Sequence, residues 1–265
     1  SSGPVAARLQ KLAAPVPGLG APYDGLLAMG FGLDLPQLRN AIDALLREVI
    51  AAGDSCEWVD PASLKAVMPQ LNLALGPMTA GIKGMNLLLA DLSIDQQTLQ
   101  PVGVRAGLLA AVDDPRGIFA LGAMFNPALA TFEIPSDGSF VDLPRDLVAD
   151  EQAPPMKVAI RDRALLVLAG SGSNGVADRL LDATLTSPPP LFAVDYGVYQ
   201  LVQRFGDMAD AAVAQLQSRG ELELAAELRE QMHGFQLQAK LFDRLRVSLH
   251  ADSHGLVMDQ VMELR

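Results

Sequence analysis

The sequence predicts an α+β fold with a mainly antiparallel sheet, built from two related repeats that each read helix, strand, helix, helix and β-hairpin. Three observations support this prediction. Half of the 265 residues are hydrophobic, which is enough to bury a sizeable core. The two halves of the chain can be laid over each other. Each half also ends in a predicted hairpin, and in the second half its strands alternate apolar and polar residues.

The first part of each predicted repeat contains an amphipathic helix, a turn with prolines, a short apolar strand and a glycine. Apolar residues at helical spacing predict the helix, and the prolines end it. The matching segments are Val5–Leu9 and Val176–Leu180 for the helix, Pro15–Gly18 and Ser187–Pro190 for the turn, Leu26–Phe31 and Leu191–Val194 for the strand, and Gly32 and Gly197 for the glycine.

The second part of each predicted repeat contains two helices and the closing hairpin. Breaks that contain glycine and serine, which are typical of helix ends, separate the two helices. The predicted helices are Leu35–Ala52 and Pro61–Leu75 in the first repeat and Val198–Ser218 and Glu221–Phe242 in the second. The predicted hairpins are Met85–Ile94 with Gln100–Val112, and Leu245–His250 with Leu256–Leu264.

A linking region lies between the copies, so we divide the chain into a first repeat, 1–113, and a unit of linking region and second repeat, 114–265. In the linking region we expect a helix at Asp114–Ala128. Strands are expected at Thr131–Ile134 and Ser139–Leu143 around the turn Ser136–Gly138. A further hairpin is expected from Lys157–Ile160 with Ala164–Ala169. The first copy lacks a counterpart of this last hairpin, because Ser1–Pro4 aligns with Gly172–Gly175. We therefore expect the first repeat to be truncated and the natural protein to continue toward the N-terminus.

The composition argues against several classes of protein. The formal net charge is −11, and no cluster of Lys and Arg is present to bind nucleic acid or anionic lipid. The longest charge-free runs, Ala66–Ile82 and Gly117–Phe132, contain prolines and fall short of the roughly 20 apolar residues of a membrane-spanning helix. Cys56 is the only cysteine, which excludes an intramolecular disulfide and a cysteine-built zinc site.

Residues Gly170–Gly175 match the G-x-G-x-x-G spacing of dinucleotide-binding loops. Glycines let backbone amides approach a pyrophosphate, and a following helix adds partial positive charge at its N-terminus. Asp195 ends the next predicted strand 25 residues after Gly170, near where a ribose-binding acid would lie. Gly170, Gly172, Gly175 and Asp195 are therefore the candidate cofactor-binding residues.

A structural role for the same loop is the simpler interpretation. A dinucleotide fold needs further parallel strands joined by helical crossovers, whereas the strands predicted around this loop form antiparallel hairpins. In the first copy, Gly30 stands where the second has Asp195. The loop is then a connector from strand to helix, with Ser173 or Asn174 as the helix cap, and no cofactor is expected.

Ser171–Gly175 also differs from the nucleophile elbow G-x-S-x-G only at its first position, so Ser173 is a candidate nucleophile of a hydrolase. The sequence offers several partners in the required chain order, with Asp207, Asp210, Asp243 or Asp252 as the acid and His250 or His254 as the base. No oxyanion loop or large parallel sheet accompanies them. The enzymatic interpretation stays open, and a protein without catalytic residues is preferred.

His250, Asp252 and His254 are the candidate metal-binding residues, because alternate positions on an extended strand can share one face. The same stretch is also a natural hairpin turn, in which the strand does not stay extended. The corresponding turn of the first copy, Ile94–Leu99, contains no histidine.

The strand-to-helix turn Leu165–Arg179, followed by a strand such as Leu191–Asp195, resembles uncharacterised proteobacterial envelope proteins and lipoproteins with a duplicated α+β unit. The resemblance implies a non-enzymatic protein that is periplasmic or anchored to the outer membrane, with the cytoplasm as the alternative compartment. Apolar segments that contain methionine, Met68–Met85 and the last strand with Met258 and Met262, would suit an adaptable binding surface.

The sequence therefore predicts a binding or assembly protein of the bacterial envelope, with an apolar small molecule, a lipid or another envelope protein as its partner. Two alternatives stay open. One is an enzyme that uses the loop Gly170–Gly175, either with a nucleotide or through Ser173. The other is a purely structural domain of a larger chain.

Overall fold

A nine-stranded antiparallel sheet forms the centre of the structure, a computed structural model that describes residues 4–52, 69, 81–95, 101–148 and 153–265. Its strands follow the order β4-β5-β6-β3-β2-β1-β7-β8-β9. They are β1 Leu27–Gly32, β2 Ile82–Ile94, β3 Pro101–Val112, β4 Val141–Asp142, β5 Met156–Arg161, β6 Ala164–Ala169, β7 Pro190–Gly197, β8 Phe242–Ala251 and β9 Leu256–Leu264. The six helices in the described residues are α1 Pro4–Leu12, α2 Leu35–Ala52, α3 Pro115–Phe125, α4 Asn174–Leu181, α5 Val198–Ser218 and α6 Leu222–Ala239. The predicted α+β class is confirmed.

Three predicted hairpins form in the structure. They are β2 with β3, β5 with β6, and β8 with β9. The turns of the last two hairpins contain residues that accept a positive φ, Asp162 between β5 and β6 and Gly255 between β8 and β9. These two hairpins therefore follow from a local signal, since the turn and both strands are close together in the sequence.

The linking region differs from its prediction. Helix α3 begins where expected, because Asp114 accepts a hydrogen bond from the Gly117 amide, but the helix ends at Phe125 ahead of Pro127. The expected hairpin around Ser136–Gly138 does not form. Asp137 closes its own turn by accepting hydrogen bonds from the Ser139 amide and hydroxyl, and only Val141–Asp142 becomes a strand, paired with β5.

The two faces of the sheet bury different apolar clusters. On one face, the loop between α1 and β1 packs with α4 over the middle strands, and Leu19, Leu166 and Leu168 are almost fully buried there. On the opposite face, the linking region covers β5 and β6 with Phe119 and Phe132 over Val158 and Ile160. The alternation of side chains along a strand explains this division, since neighbouring residues of β5 belong to different clusters.

Helices α5 and α6 form a helical hairpin that packs mainly on itself and contacts the sheet through β8, β7 and β2. Helix α5 has its predicted bounds, whereas α6 ends at Ala239 and the chain enters β8 at Phe242, within the predicted helix. The second helix predicted for the first repeat, Pro61–Leu75, lies outside the described residues apart from Pro69. Among the described helices, none has the length and apolar character needed to cross a membrane.

Candidate functional site

The glycine loop lies at the junction of β6 and α4, the position that the sequence predicts. Gly170 and Gly172 both have positive φ, 91° and 73°. The Gly170 amide donates a hydrogen bond to the carbonyl oxygen of Pro155 at 2.8 Å, so the loop is held to the strand beside it. Ser173 occupies the N-cap position of α4, but its side chain makes no capping hydrogen bond and is buried.

Asp195 is engaged in a buried ion pair. One carboxylate oxygen accepts a hydrogen bond from the Tyr23 amide at 2.9 Å, and the other lies 2.6 Å from the Arg244 guanidinium. Arg244 also donates to the carbonyl oxygen of Gly25 at 2.8 Å. Both oxygens of Asp195 are thus occupied by the protein itself, and the carboxylate holds the loop before β1 against β7 and β8.

The structure does not bring Asp195 to the glycine loop. Asp195 lies on β7 and the loop follows β6, and three strands, β3, β2 and β1, lie between them in the sheet. Strand β6 is antiparallel to both of its neighbours, which differs from the parallel sheet of a dinucleotide fold. Cofactor binding by Gly170, Gly172, Gly175 and Asp195 stays a prediction, and this separation does not favour it.

The candidate nucleophile Ser173 is also separated from the candidate histidines. Ser173 follows β6, whereas His250 lies on β8 and His254 in the turn after it. Four strands lie between β6 and β8 in the sheet. Each histidine already has a carboxylate neighbour, since His250 Nδ1 lies 3.3 Å from Asp259 and His254 Nδ1 lies 3.3 Å from Asp252. The arrangement offers no path for a proton from Ser173 to either imidazole.

The three candidate metal ligands lie around the turn between β8 and β9, where Asp252 and His254 contact each other and His250 does not join them. Asp252 accepts hydrogen bonds from the backbone amides of His254 and Gly255, and the His254 amide holds the pKa of this carboxyl below its usual value. His250 pairs instead with Asp259 on β9. Within the described part of the chain, no group of three or more His, Cys, Asp or Glu residues is placed to hold a metal ion. Metal binding by His250, Asp252 and His254 stays a prediction.

A cavity near the start of α2 combines apolar walls with charged groups, of which Lys83, Asp34 and Asp113 pair with one another. Its volume is about 510 Å³, and Leu166, Leu180 and Leu185 form part of its wall. Lys83 Nζ lies 3.0 Å from Asp34 and 3.3 Å from Asp113, and the hydrogen bond to Asp34 raises the pKa of the lysine. This lysine is held by the protein and is not left for an anionic ligand.

The groove between α5 and α6 is lined by apolar side chains. Its volume is about 450 Å³, and one of its walls carries Phe235, a side chain that is 57 % exposed. The residues that line it are Val202, Met208, Ala209, Ala212, Leu228, Met232 and Phe235. Among the described residues that line the groove, none has a charged or hydrogen-bonding side chain, which suits the groove to an apolar group.

The sequence does not predict this groove. The segments with methionine that suit an adaptable surface are Met68–Met85 and the last strand, whereas the groove uses Met208 and Met232. A signal is present on α6, where Leu228, Met232 and Phe235 recur at the spacing of one helical face. Such a stripe predicts a fully buried helix face equally well. It is the packing of α5 on α6 that leaves part of this face accessible as a groove.

No family model matches the sequence, and no curated protein or solved structure is similar to it. The groove, the buried ion pair and the glycine loop therefore have to be interpreted from their own chemistry.

Proposed function

We propose that this protein is a non-enzymatic binding or assembly protein, and that the groove between α5 and α6 holds an apolar ligand or an apolar segment of a protein partner. The observation that carries the proposal is the lining of the groove, which is apolar throughout. Its volume of about 450 Å³ lies within the range of roughly 300–1,000 Å³ of small-molecule sites. The thioethers of Met208 and Met232 can adapt to different ligand shapes.

The exposure of α6 supports a partner for this hairpin. Leu222, Leu224 and Leu237 are about half exposed or more, in addition to Phe235 in the groove. These side chains lie on more than one face of the helix, whereas an ordinary surface helix keeps one face polar. Exposed apolar surface of this kind costs free energy in water and is stabilised when a ligand or partner covers it.

We also propose that the chain consists of two related halves joined through β1 and β7. These strands are antiparallel neighbours, and their register supports the proposal. The paired residues are Leu27 with Tyr196, Met29 with Val194, and Phe31 with Phe192. Aligning Gly32 with Gly197 places Met29 on Val194, the residue with which it is paired. A two-fold rotation about the Met29–Val194 pair therefore exchanges the two pairs on either side of it. The groove then belongs to the second half, and α2 is the counterpart of α5 in the first half.

We keep the bacterial envelope, periplasmic or anchored to the outer membrane, as the proposed compartment. This proposal rests only on the resemblance of Leu165–Arg179 and Leu191–Asp195 to envelope proteins. It agrees with a groove for an acyl chain or another apolar group, since lipids and envelope proteins present such groups. Detection of the protein in cytoplasmic fractions alone would contradict it.

The groove can be tested with the apolar fluorescent probe N-phenyl-1-naphthylamine. We expect saturable binding to the wild-type protein and binding about tenfold to a hundredfold weaker for Phe235→Asp, because the substitution removes an apolar wall and adds a charge. Fluorescence titration at constant protein concentration measures this change.

Leu237→Asp is the matched control. Leu237 is an exposed apolar residue of the same helix, but it does not line the groove. We expect its probe affinity to stay within about twofold of wild type. Equal losses for both variants, or no saturable binding by the wild type, would show that the groove is not a binding site.

A further inference from the structure

Strand β9 forms an open edge of the sheet. It is the last strand in the order, and its nine residues are paired with β8 on one side alone within the described residues. The edge at the other end, β4, has only two residues. Short edge strands, prolines and charged side chains, especially lysines, are common protections against pairing with another chain. Strand β9 is nine residues long and has no proline or lysine, and its only charged residues are Asp259 and Glu263.

The exposure of β9 contrasts with that of β3, the second strand of the β2–β3 hairpin. Strand β3 has β6 along its outer edge, and Leu109 on β3 is 2 % exposed. Val261 on β9 is 47 % exposed. Leu109 is buried because it belongs to the core cluster that α4 covers, whereas Val261 lies on a strand that pairs only with β8 within the described residues.

The residues of β9 are self-complementary in an antiparallel pairing centred on Gln260. Leu256, Met258, Gln260, Met262 and Leu264 lie on one face of the strand, because side chains alternate. In this pairing Leu256 faces Leu264 of a second copy, and Met258 faces Met262. All nine residues take part, and on this face apolar side chains meet apolar side chains on either side of Gln260.

The charges of β9 permit the same pairing. Asp259 would face Val261 and Glu263 would face Val257 of the second copy, so no two like charges stand directly opposite each other. Each acid also has a partner on β8, since Asp259 lies 3.3 Å from His250 Nδ1 and Glu263 is paired with Arg246. The negative charge of Glu263 is therefore partly countered by Arg246 before the copies meet.

We propose that β9 is a dimerisation edge, at which a second copy of this chain adds its own β9 in antiparallel register about Gln260. The two sheets become one continuous sheet across a two-fold axis. This dimerisation edge is separate from the groove between α5 and α6, so loss of a ligand from the groove is expected to leave the dimer unchanged.

Sedimentation equilibrium of the full chain tests the proposal. The wild-type protein is expected to have the mass of two chains over a wide range of concentrations. M258K/M262K places lysine opposite lysine and is expected to raise the dissociation constant at least about tenfold. M258K/M262E places lysine opposite glutamate and is expected to restore the dimer.

Met124→Lys serves as the control, because Met124 is an exposed methionine of α3, far from β9 in the sequence. It is expected to leave the mass unchanged, and circular dichroism of each variant reports whether it is folded. Three results would overturn the proposal: a monomeric wild type, a dimer that M258K/M262K does not weaken, or failure of M258K/M262E to restore the dimer. A monomer whose β9 amides are protected from hydrogen exchange would assign the edge to a different strand and would also overturn it.

Discussion

Asp195→Ala is expected to lower the free energy of unfolding by about 3–5 kcal/mol, because it leaves the charge of Arg244 buried without a partner. The side chains of this pair are 7 % and 11 % exposed. The substitution also removes the acceptor of the Tyr23 amide, a buried backbone donor. Urea-induced unfolding followed by circular dichroism measures the change.

Asp24→Ala is the matched control for this prediction. Asp24 pairs with Arg179 at 3.2 Å, but both side chains are more than half exposed. We expect a loss of less than about 1 kcal/mol, because exposed ion pairs contribute little. The double variant Asp195→Ala/Arg244→Ala is expected to cost less than the sum of the single variants, since it leaves no unpaired charge. Equal small losses for Asp195→Ala and Asp24→Ala would contradict a structural role for Asp195.

The position of this ion pair explains why its loss should be large. Tyr23 and Gly25 belong to the loop before β1, whereas Asp195 lies on β7 and Arg244 on β8. The pair thus joins parts of the chain that are far apart in sequence, at the place where β1 meets β7. A ribose-binding acid would instead have a free carboxylate oxygen.

The sequence predicts best those structural features that depend on residues close together in the chain. The hairpin of β8 and β9 follows from alternating residues around one turn, and the bounds of α2 and α5 follow from apolar periodicity and helix breaks. The pairing of β1 with β7 joins residues more than 160 positions apart. The alternation of residues in each strand indicates which face of the strand is apolar, but it does not indicate which strand pairs with it.

The candidate sites show the same limit. The spacing of Gly170–Gly175 and Asp195 makes them candidate neighbours only in a parallel fold, and the antiparallel order places three strands between them. The partner of Asp195, Arg244, has no signal in the sequence, since a single arginine in a strand commonly faces solvent. The groove depends in the same way on the pairing of two helices, which periodicity alone does not specify.

A graded series of alanine substitutions in the glycine loop is expected to separate a connector from a phosphate-binding loop. Gly170→Ala should be the most damaging, because a Cβ at this position would lie 1.4 Å from the carbonyl oxygen of Val104, and the φ of 91° is strained for alanine. We expect a loss of about 4 kcal/mol or more, as the strands must shift to relieve a clash with backbone. Urea-induced unfolding measures the free energy for each variant.

The other two glycines provide the internal controls of this series. Gly172→Ala meets only the Arg105 side chain at 3.9 Å, so its expected loss is the strain of a positive φ, about 1–2 kcal/mol. Gly175→Ala meets nothing within 4 Å in the first turn of α4 and is expected to stabilise the protein by about 0.5–1 kcal/mol. This order of effects follows from backbone geometry alone, whereas a phosphate-binding loop would lose ligand affinity at each glycine. Saturable NAD binding by the wild-type protein that Gly172→Ala abolishes would therefore refute the connector, because a connector has no nucleotide affinity to lose.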